Sequence, residues 1–225
     1  MDDRHFDKIA AMEWIKTIEG ENGLIRESDL YPHLREWVER VNPQKIIDIG
    51  CGQGICSANI DLTGRNYFGI DPSPFLLERA MLLHTEPNKF FSPGNAYELP
   101  FSDCSFDAAF SIAVWHLLED KPKAAREMSR VVKQGGHFMI VAANPATYDE
   151  WIKTYSSGTQ HGYRFEGQMR HDDGSESTDV LYLHSLDEII ASLQLADFEI
   201  ESKTAFRTAI SIQGKKRVKN LSSLG

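Results

Sequence analysis

The sequence has few of the features that mark a disulfide scaffold, a membrane protein or a nucleic-acid-binding protein. Its 225 residues contain 3 cysteines, whose spacing forms no disulfide framework or paired zinc motif, so we expect reduced thiols and no metal site. No uncharged apolar run approaches the length of a membrane span. Basic residues number 24 against 33 acidic residues, and the formal charge of −9 disfavours nucleic-acid binding, which needs clustered Lys and Arg.

The two ends of the chain give further expectations. Residues 1–5 are acidic, whereas a secretory signal is basic and then apolar, so we expect a soluble, cytoplasmic protein. The basic run at Lys215–Lys219 is predicted to belong to a solvated, flexible tail over residues 214–225. A chain of this length can bury a full core, and one α/β domain with insertions accounts for it.

The most informative segment is a short apolar stretch that runs directly into a glycine-rich turn. Residues 45–49 predict a strand covered on both faces of a parallel sheet, because its apolar residues are the β-branched Ile46, Ile47 and Ile49. The glycines that follow allow positive φ angles and a close approach of the backbone to a ligand: Gly50, Gly52 and Gly54. A helix over residues 53–60 would direct free backbone N–H groups at that ligand.

Two other interpretations of this turn stay open. An ordinary strand-to-helix turn uses glycine for the same conformational reason. A dinucleotide-binding turn has the spacing Gly-x-Gly-x-x-Gly, and its third glycine would fall at position 55, which is Ile. We therefore predict a nucleotide-like cofactor at this turn, and a nicotinamide-dependent oxidoreductase is the less favoured alternative.

An acidic residue follows the next predicted strand. Asp71 comes directly after the apolar run 67–70. A carboxylate there can accept both hydroxyls of a ribose, because it offers two acceptor oxygens to two vicinal donors. Ser73 and Pro74 predict the N-cap and the first residue of a helix that runs to about His84. A turn residue that merely precedes this helix is the alternative role of Asp71.

The order of these motifs resembles a known family. Residues 48–54, Asp-Ile-Gly-Cys-Gly-Gln-Gly, are similar to motif I of the class I S-adenosylmethionine-dependent methyltransferases. Residues 94–101 resemble the family's adenine-binding segment after strand three, although Asn95 stands where the family often has Asp. Residues 120–132 predict an amphipathic helix that is stopped at Gly135 and Gly136, and a fifth buried strand is predicted at 137–142. Residues 126–136 resemble the family's helix and glycine turn before strand five. The resemblance covers residues 45–142, an ordered series that chance seldom supplies.

This resemblance implies a fold, a cofactor and an activity. The expected fold is α/β: a Rossmann-like, doubly wound, seven-stranded and mostly parallel sheet with an antiparallel C-terminal strand. The expected cofactor is S-adenosylmethionine, and the expected activity is in-line transfer of its methyl group to a small-molecule acceptor. The residues expected to bind the cofactor lie at the ends of the strands: Asp48, Gly50, Cys51, Gly52, Gly54, Asp71, Pro72, Asn95, Ala96, Tyr97, Ser111 and Ile112.

The core covers residues 45–142. Two segments outside it, residues 1–44 and 143–184, are expected to serve the acceptor. Residues 1–44 predict a helical cap or lid with helices at 6–18 and after Ser28, the second of which buries Trp37. Residues 143–184 predict an inserted arm, a β-hairpin with strands at 163–169 and 178–183 and a turn at 172–174. Residues 185–213 complete the same domain with a helix, capped by Ser185 and Glu188, and a strand pair at 198–206 and 208–213.

His116 is the candidate for proton transfer. It follows strand four at the carboxyl edge of the sheet, where ligands bind in open parallel sheets. An imidazole with an ordinary pKa of about 6.5 can take a proton at neutral pH, although a histidine that only closes the cofactor pocket is the alternative. Candidates for acceptor contacts are aromatic residues of the cap, of the segment after strand four and of the arm: Trp14, Tyr31, Trp115 and Tyr163. Packing is the competing explanation for each of them.

A module that binds S-adenosylmethionine or its product as a sensor, without catalysis, is a second functional hypothesis. Turnover distinguishes the two, because a sensor would never form S-adenosylhomocysteine from any acceptor. The identity of the acceptor, the type of atom that is methylated and the oligomeric state do not follow from these residues.

Overall fold

The computed structural model describes residues 8–19, 26–170, 174 and 176–219. The α-helices of these residues are α1 (Lys8–Glu19), α2 (Tyr31–Val41), α3 (Pro74–Leu83), α4 (Lys121–Val131), α5 (Tyr148–Ile152) and α6 (Leu186–Leu195). The strands are β1 (Lys45–Ile49), β2 (Asn66–Asp71), β3 (Lys89–Pro93), β4 (Phe106–Ile112), β5 (Val132–Ala143), β6 (Ser157–His161), β7 (Arg164–Arg170), β8 (Glu176–Tyr182), β9 (Phe198–Ala205) and β10 (Ala209–Lys216). None of the described helices is long and apolar enough to cross a membrane.

The main sheet has seven strands in the order β3-β2-β1-β4-β5-β10-β9. β1 pairs in parallel with β2 and β4, and β4 pairs in parallel with β5, whereas β10 is antiparallel to both β5 and β9. The chain order reverses between β1 and β4, and ligands bind at such a switch point in open α/β sheets. The predicted doubly wound sheet with an antiparallel C-terminal strand is confirmed.

An apolar cluster covers each face of this sheet. Successive side chains of the central strands point to opposite sides and so enter different clusters. In β1, Ile46 packs in one apolar cluster with Trp37 and Phe110, while Ile47 packs in the other cluster with Met128. The rings of Trp37 and Phe110 meet edge to face with their centroids 6.3 Å apart. The prediction that Trp37 is a core residue is confirmed.

Three helices begin at the residues that the sequence indicates. The hydroxyl of Ser73 accepts the N–H of Leu76 at the start of α3. A carboxylate oxygen of Asp120 accepts the N–H of Lys123 at 2.9 Å at the start of α4. Ser185 and Glu188 form a reciprocal capping box at the start of α6. For the first helix of the cap, residues 6 and 7 lie outside the described residues.

The segment after the glycine turn differs from the predicted helix at 53–60. It contains only a short 3-10 turn, Ile55–Ala58, so the longer helix was wrong. The hydroxyl of Ser57 donates to the Gly54 carbonyl at 2.7 Å, and the amide of Asn59 donates to the Ile55 carbonyl at 3.0 Å. Side-chain bonds of this kind compete with continued α-helix.

The junction of α4 and β5 lies earlier than predicted. The helix at Lys121–Val131 agrees to within one residue with the predicted helix at 120–132, but β5 begins at Val132, so the predicted strand start at His137 was too late and Gly135 and Gly136 lie inside the strand. Val131 and Val132 are fully buried, and these β-branched side chains pass directly from helix to sheet. Gly135 takes a φ of 72° inside β5, near the point where the register between β4 and β5 shifts.

The insertion folds as a three-stranded antiparallel sheet, β6-β7-β8, which we call the arm sheet. β7 and β8 correspond to the predicted hairpin strands, and residues 172 and 173 of the predicted turn lie outside the described residues. β6 was not predicted, because its 5 residues Ser-Gly-Thr-Gln-His are exposed and carry no apolar alternation. The arm sheet is tied to the core by Lys121, whose buried Nζ donates to the carbonyls of Leu118 at 2.9 Å and Tyr182 at 3.1 Å.

The C-terminal strand extends beyond the predicted end at residue 213. β10 continues to Lys216, so part of the predicted flexible tail belongs to the sheet. The Nζ of Lys216 is buried and donates to the carbonyl of Ser129 at 2.6 Å and of Val132 at 2.9 Å. The prediction that the basic run is solvated was therefore wrong for Lys216.

Candidate functional site

A cavity of about 1250 Å3 opens at the carboxyl ends of the parallel strands. The glycine turn after β1 and the ends of β2, β4 and β5 form its floor, while α1 and the arm sheet form its outer walls. Among the predicted cofactor-binding residues, the cavity is lined by Gly50, Gly52, Asp71, Pro72, Asn95, Ala96, Tyr97 and Ile112. His116, Trp14 and Tyr163 line it as well.

Asp71 connects the end of β2 to the glycine turn. Its Oδ2 accepts the backbone N–H of Gly52 at 2.8 Å, and its Oδ1 accepts the N–H of Ser73 at 2.9 Å. Burial raises the pKa of Asp71 to about 6, and these two hydrogen bonds oppose that rise. The carboxylate holds the turn in shape, and each of its oxygens keeps a further lone pair for a ligand hydroxyl.

Two of the three glycines line the cavity, with φ angles of 80° at Gly50 and 54° at Gly52. A Cβ at Gly50 would lie 2.3 Å from Cγ2 of Val114, so no side chain fits there. Gly54 is turned away from the cavity. A Cβ there would approach the rings of Phe91 and His84 to within 2.9 Å, which makes Gly54 a packing position.

Asp48 and Cys51 lie beneath the turn and do not line the cavity. Oδ2 of Asp48 accepts the hydroxyl of Tyr67 at 2.6 Å. Burial raises the pKa of Asp48 to about 7; the bond from Tyr67 opposes that rise and the neighbouring Asp71 adds to it. The sulfur of Cys51 fills the space beside Gly69, where a Cβ would lie 2.8 Å from it. Both residues support the turn from below, whereas the sequence had placed them in contact with the cofactor.

The segment predicted to meet an adenine lies in the cavity wall. Oδ1 of Asn95 accepts the N–H of Tyr97 at 2.8 Å, which closes a local turn. The hydroxyl of Tyr97 accepts the N–H groups of Glu119 at 2.8 Å and Asp120 at 3.3 Å. The Asn95 oxygen keeps a second lone pair, so a planar ligand edge could meet the side-chain amide of Asn95 or the backbone of Ala96.

The end of β4 sends consecutive residues to opposite sides. Ser111 is buried in the sheet, where its hydroxyl donates to the Ile49 carbonyl at 2.8 Å, and it does not line the cavity. Ala113 has a φ of 61°, which is rare for a residue with a Cβ. After this turn His116 faces the cavity, with its ring edge-on to Trp151 at 5.0 Å. Trp115 points into the core and is 1% exposed, so it is a packing residue instead of the predicted acceptor contact.

Of the aromatic candidates in the cap and the arm, some line the cavity and one is buried in the core. Nε1 of Trp14 lies 3.3 Å from the position of a Cβ on Gly52, so this ring covers the glycine turn. Tyr31 is 1% exposed and packs in the core with Trp37, which corrects its predicted acceptor contact. Tyr163 stacks on the ring of His184 with the centroids 4.3 Å apart, in the cavity wall.

Several cavity residues were not predicted as site residues: Glu119, Lys123, Met169, Ser177, Asp179 and Leu181. Three of them alternate along β8, so they share one face of that strand. This alternation is visible in the sequence and could have identified the three residues as one face of the strand. The described residues include no group of three or more His, Cys, Asp or Glu side chains arranged to hold a metal ion.

An open sheet with a glycine turn and a carboxylate at its switch point is the architecture of proteins that bind a nucleoside-containing cofactor. The site fits such a group, because Gly50 and Gly52 keep the cavity floor free of side chains and Asp71 presents a carboxylate beside them. Pockets for one small ligand measure about 300–1,000 Å3. The cavity therefore has room for a cofactor and a second molecule.

The chain is similar to known methyltransferases in both sequence and structure. Residues 47–140 match the family model described as a methyltransferase domain. The chain is 25% identical over 182 residues to malonyl-[acyl-carrier protein] O-methyltransferase of Legionella pneumophila, covering 80% of this chain and 63% of that protein. It is 27% identical over 199 residues to demethylmenaquinone methyltransferase of Thermotoga maritima, covering 79% and 80%. An S-adenosylmethionine-dependent methyltransferase structure from Clostridium acetobutylicum superposes with a TM-score of 0.68 at 14% identity, covering 94% and 100%.

Residues 47–140 are therefore a methyltransferase domain, and the cofactor that such a domain implies is S-adenosylmethionine. The resemblance stated from the motifs is thereby confirmed. The chain spans 63% of the length of the Legionella relative.

Proposed function

We propose that this protein transfers the methyl group of S-adenosylmethionine to a small-molecule acceptor bound in the same cavity. The observation that carries the proposal is the joint position of Gly52 and Asp71 in the wall of one cavity large enough for two ligands. The relatives' names differ in the acceptor: malonyl-[acyl-carrier protein], demethylmenaquinone and, in Mycolicibacterium smegmatis, a fatty acid. The last two are small molecules and support the proposal.

The residues of the floor would hold the donor. The backbone of Gly50 and Gly52 allows close approach, and the oxygens of Asp71 accept the two ribose hydroxyls. Asn95 and Ala96 would meet the adenine, and Ile112 would supply apolar contact from β4. Trp14 covers the donor on the side of α1 and excludes water from it.

Bound S-adenosylmethionine supplies an electrophilic methyl group: its bond to sulfur breaks with both electrons left on sulfur, as the acceptor's lone pair forms the new bond. The protein has to align the acceptor with that bond and keep water away. Where the acceptor atom carries a hydrogen, His116 is placed to take the proton, because its ring faces the cavity beyond the strained turn at Ala113. Trp151, packed against that ring, would hold it in orientation.

The first experiment is calorimetric titration of S-adenosylmethionine and S-adenosylhomocysteine into the wild type and Asp71→Ala. We expect binding by the wild type and at least a tenfold loss of affinity in the variant. Glu78→Ala, an exposed position on α3, is the control and should bind as the wild type does. Thermal unfolding of each variant shows whether it is folded. Equal affinity in Asp71→Ala and the control would overturn the assignment of the site.

The second experiment measures turnover. The protein is incubated with S-adenosylmethionine and a panel of amines, phenols, thiols and carboxylic acids, and S-adenosylhomocysteine is quantified. Formation that depends on one acceptor supports methyl transfer. Tight binding of the donor without product from any acceptor would favour a sensor, and stabilisation by a nicotinamide cofactor alone would favour an oxidoreductase.

A further inference from the structure

One face of the arm sheet forms a cavity wall. Cross-strand pairing places Phe165 opposite Leu181, Gly167 opposite Asp179 and Met169 opposite Ser177, so these residues share one face. The members that line the cavity are Met169, Ser177, Asp179 and Leu181. Among the described residues of β6, β7 and β8, Asp179 is the one charged side chain on this face.

The opposite face of the arm sheet carries its other charges as pairs. Arg164 bonds Glu166 at 2.9 Å, and Arg170 bonds Glu176 at 2.9 Å. Asp179 forms no ion pair with any described residue, and its hydrogen-bond donor is a neutral group, the hydroxyl of Tyr155 at 2.9 Å. Asp179 therefore presents a carboxylate that no cation among the described residues neutralises, and a cationic group of a ligand can do so.

The position of Tyr155 is determined by packing. Its ring meets Phe165 edge to face, with the centroids 5.2 Å apart. It also occupies the space above Gly167, where a Cβ would lie 2.5 Å from the ring. Gly167 is the cross-strand partner of Asp179, so the absent side chain lets the Tyr155 ring cross the strand and reach the carboxylate. Asp179 is therefore held in one place in the cavity wall.

Most of the other charged side chains in the cavity wall are also acidic. Four other carboxylates line it. Glu13 pairs with Lys16 at 2.7 Å, whereas Asp71, Asp120 and Glu119 accept neutral donors, as Asp179 does. Among the described lining residues, Lys123 is the one lysine or arginine, and its Nζ lies 5.8 Å from the centre of the Tyr97 ring. The negative charge of an anionic acceptor would thus be repelled by Asp179, and among the described lining residues only Lys123 could offset that repulsion.

We propose that the acceptor carries a protonated amine next to an apolar or aromatic body, and that Asp179 binds this amine. The inference rests on the proposed function of the cavity. An ammonium donates charge-assisted hydrogen bonds to the carboxylate, and the side chains of Leu181 and Met169 cover the apolar body. Since a protonated amine has no free lone pair, the methyl group goes to another atom of the same molecule. Asp179 is a specificity residue in this scheme.

The test compares three probes of similar shape on protein saturated with S-adenosylhomocysteine: phenethylamine, 3-phenylpropionate and 2-phenylethanol. Calorimetry should show phenethylamine binding about tenfold to a hundredfold more tightly than the acid or the alcohol. The isosteric variant Asp179→Asn should lose that preference and keep its affinity for S-adenosylhomocysteine. Asp187→Asn, an exposed position on α6, is the matched control and should keep the preference.

Equal or tighter binding of the acid by the wild type overturns the proposal, as does a preference that survives in Asp179→Asn or the failure of all three probes to bind. The wild-type comparison does not depend on the folding of any variant. Failure of the wild type to bind S-adenosylhomocysteine would refute the proposed function instead, and the ranking of the probes on the protein alone then tests the amine site by itself.

Discussion

The carboxylate of Asp71 accepts the backbone N–H of Gly52 at 2.8 Å, so the acidic residue after β2 sets the shape of the glycine turn after β1. The two motifs lie on neighbouring parallel strands, and the sheet brings their ends together. A change at either residue should therefore affect the same ligand.

Replacement of Gly52 by Val should lower the affinity for S-adenosylhomocysteine at least tenfold. The new side chain would enter the cavity floor beneath Trp14, at a φ of 54°. Gly64→Val is a matched control, because Gly64 has a φ of 70° and nothing lies within 4 Å of a Cβ there. Both variants should lose about 1 kcal/mol or more of stability from the backbone conformation. Comparable affinity losses in both, measured by calorimetry, would mean that Gly52 does not touch the ligand.

Affinity for S-adenosylhomocysteine should fall as the pH drops below about 6. The pKa of Asp71 is raised to about 6, so the carboxylate gains a proton in that range and loses acceptor capacity for the ribose. Below the pKa the loss should approach tenfold per pH unit. Asp71→Asn should bind weakly and without this slope, whereas Asp48→Asn should keep it. Titrations between about pH 5 and pH 8 that show no slope in the wild type would refute this role.

Asp48→Asn should change how stability depends on pH. The folded pKa of Asp48 is about 7 against an ordinary 3.8, so the folded state binds the proton more tightly. Its stabilising contribution is complete below the unfolded value and is lost as the pH rises to the folded value. Relative to the variant, the wild type should lose about 2–4 kcal/mol between pH 4 and pH 8. Chemical denaturation at both pH values measures this, and parallel curves for the two proteins would contradict it.

His116→Ala should lower the turnover number by about a hundredfold or more and leave the affinity for S-adenosylhomocysteine within a factor of about two, if the ring acts as a base. The reason is that a base acts in the transition state and does not hold the donor. His161→Ala, an exposed position on β6, is the control. An equal loss of donor affinity and turnover would instead assign His116 to the cofactor pocket.

Lys216→Ala should destabilise the fold by about 1–3 kcal/mol, because it leaves the buried carbonyls of Ser129 and Val132 without their donor. The neighbouring Lys215 is half-exposed and pairs with Glu201 at 3.0 Å. Lys215→Ala should therefore leave the stability nearly unchanged. Urea denaturation of the two variants side by side tests the difference, and similar midpoints would contradict the buried role of Lys216.

Local patterns in the sequence were sufficient for most strands of the main sheet and for the glycine turn and carboxylate that line one cavity. The apolar strand before Gly50, the acidic residue at 71 and the caps at Ser73 and Ser185 all act over short distances along the chain. Such signals survive in a single sequence, because φ angles, hydrogen-bonding side chains and alternation are local properties. They predicted most of the strands, whereas the seven-stranded sheet with its antiparallel C-terminal strand was expected from the resemblance to the family.

The tertiary structure decided whether an individual side chain faces the core or the cavity. Trp115 and His116 are adjacent, yet one lies in the core and the other faces the cavity. Asp48 and Gly54 belong to the same motif as Gly52 but do not line the cavity, and Asp179 acquires its setting from Tyr155 and Gly167, two residues on other segments. The sequence by itself determined the strands and the glycine turn, because these follow from local chemistry, whereas the methyl donor followed from an order of motifs that resembles the methyltransferase family. Which side chains meet an acceptor depends on contacts between distant segments, and packing alone establishes them.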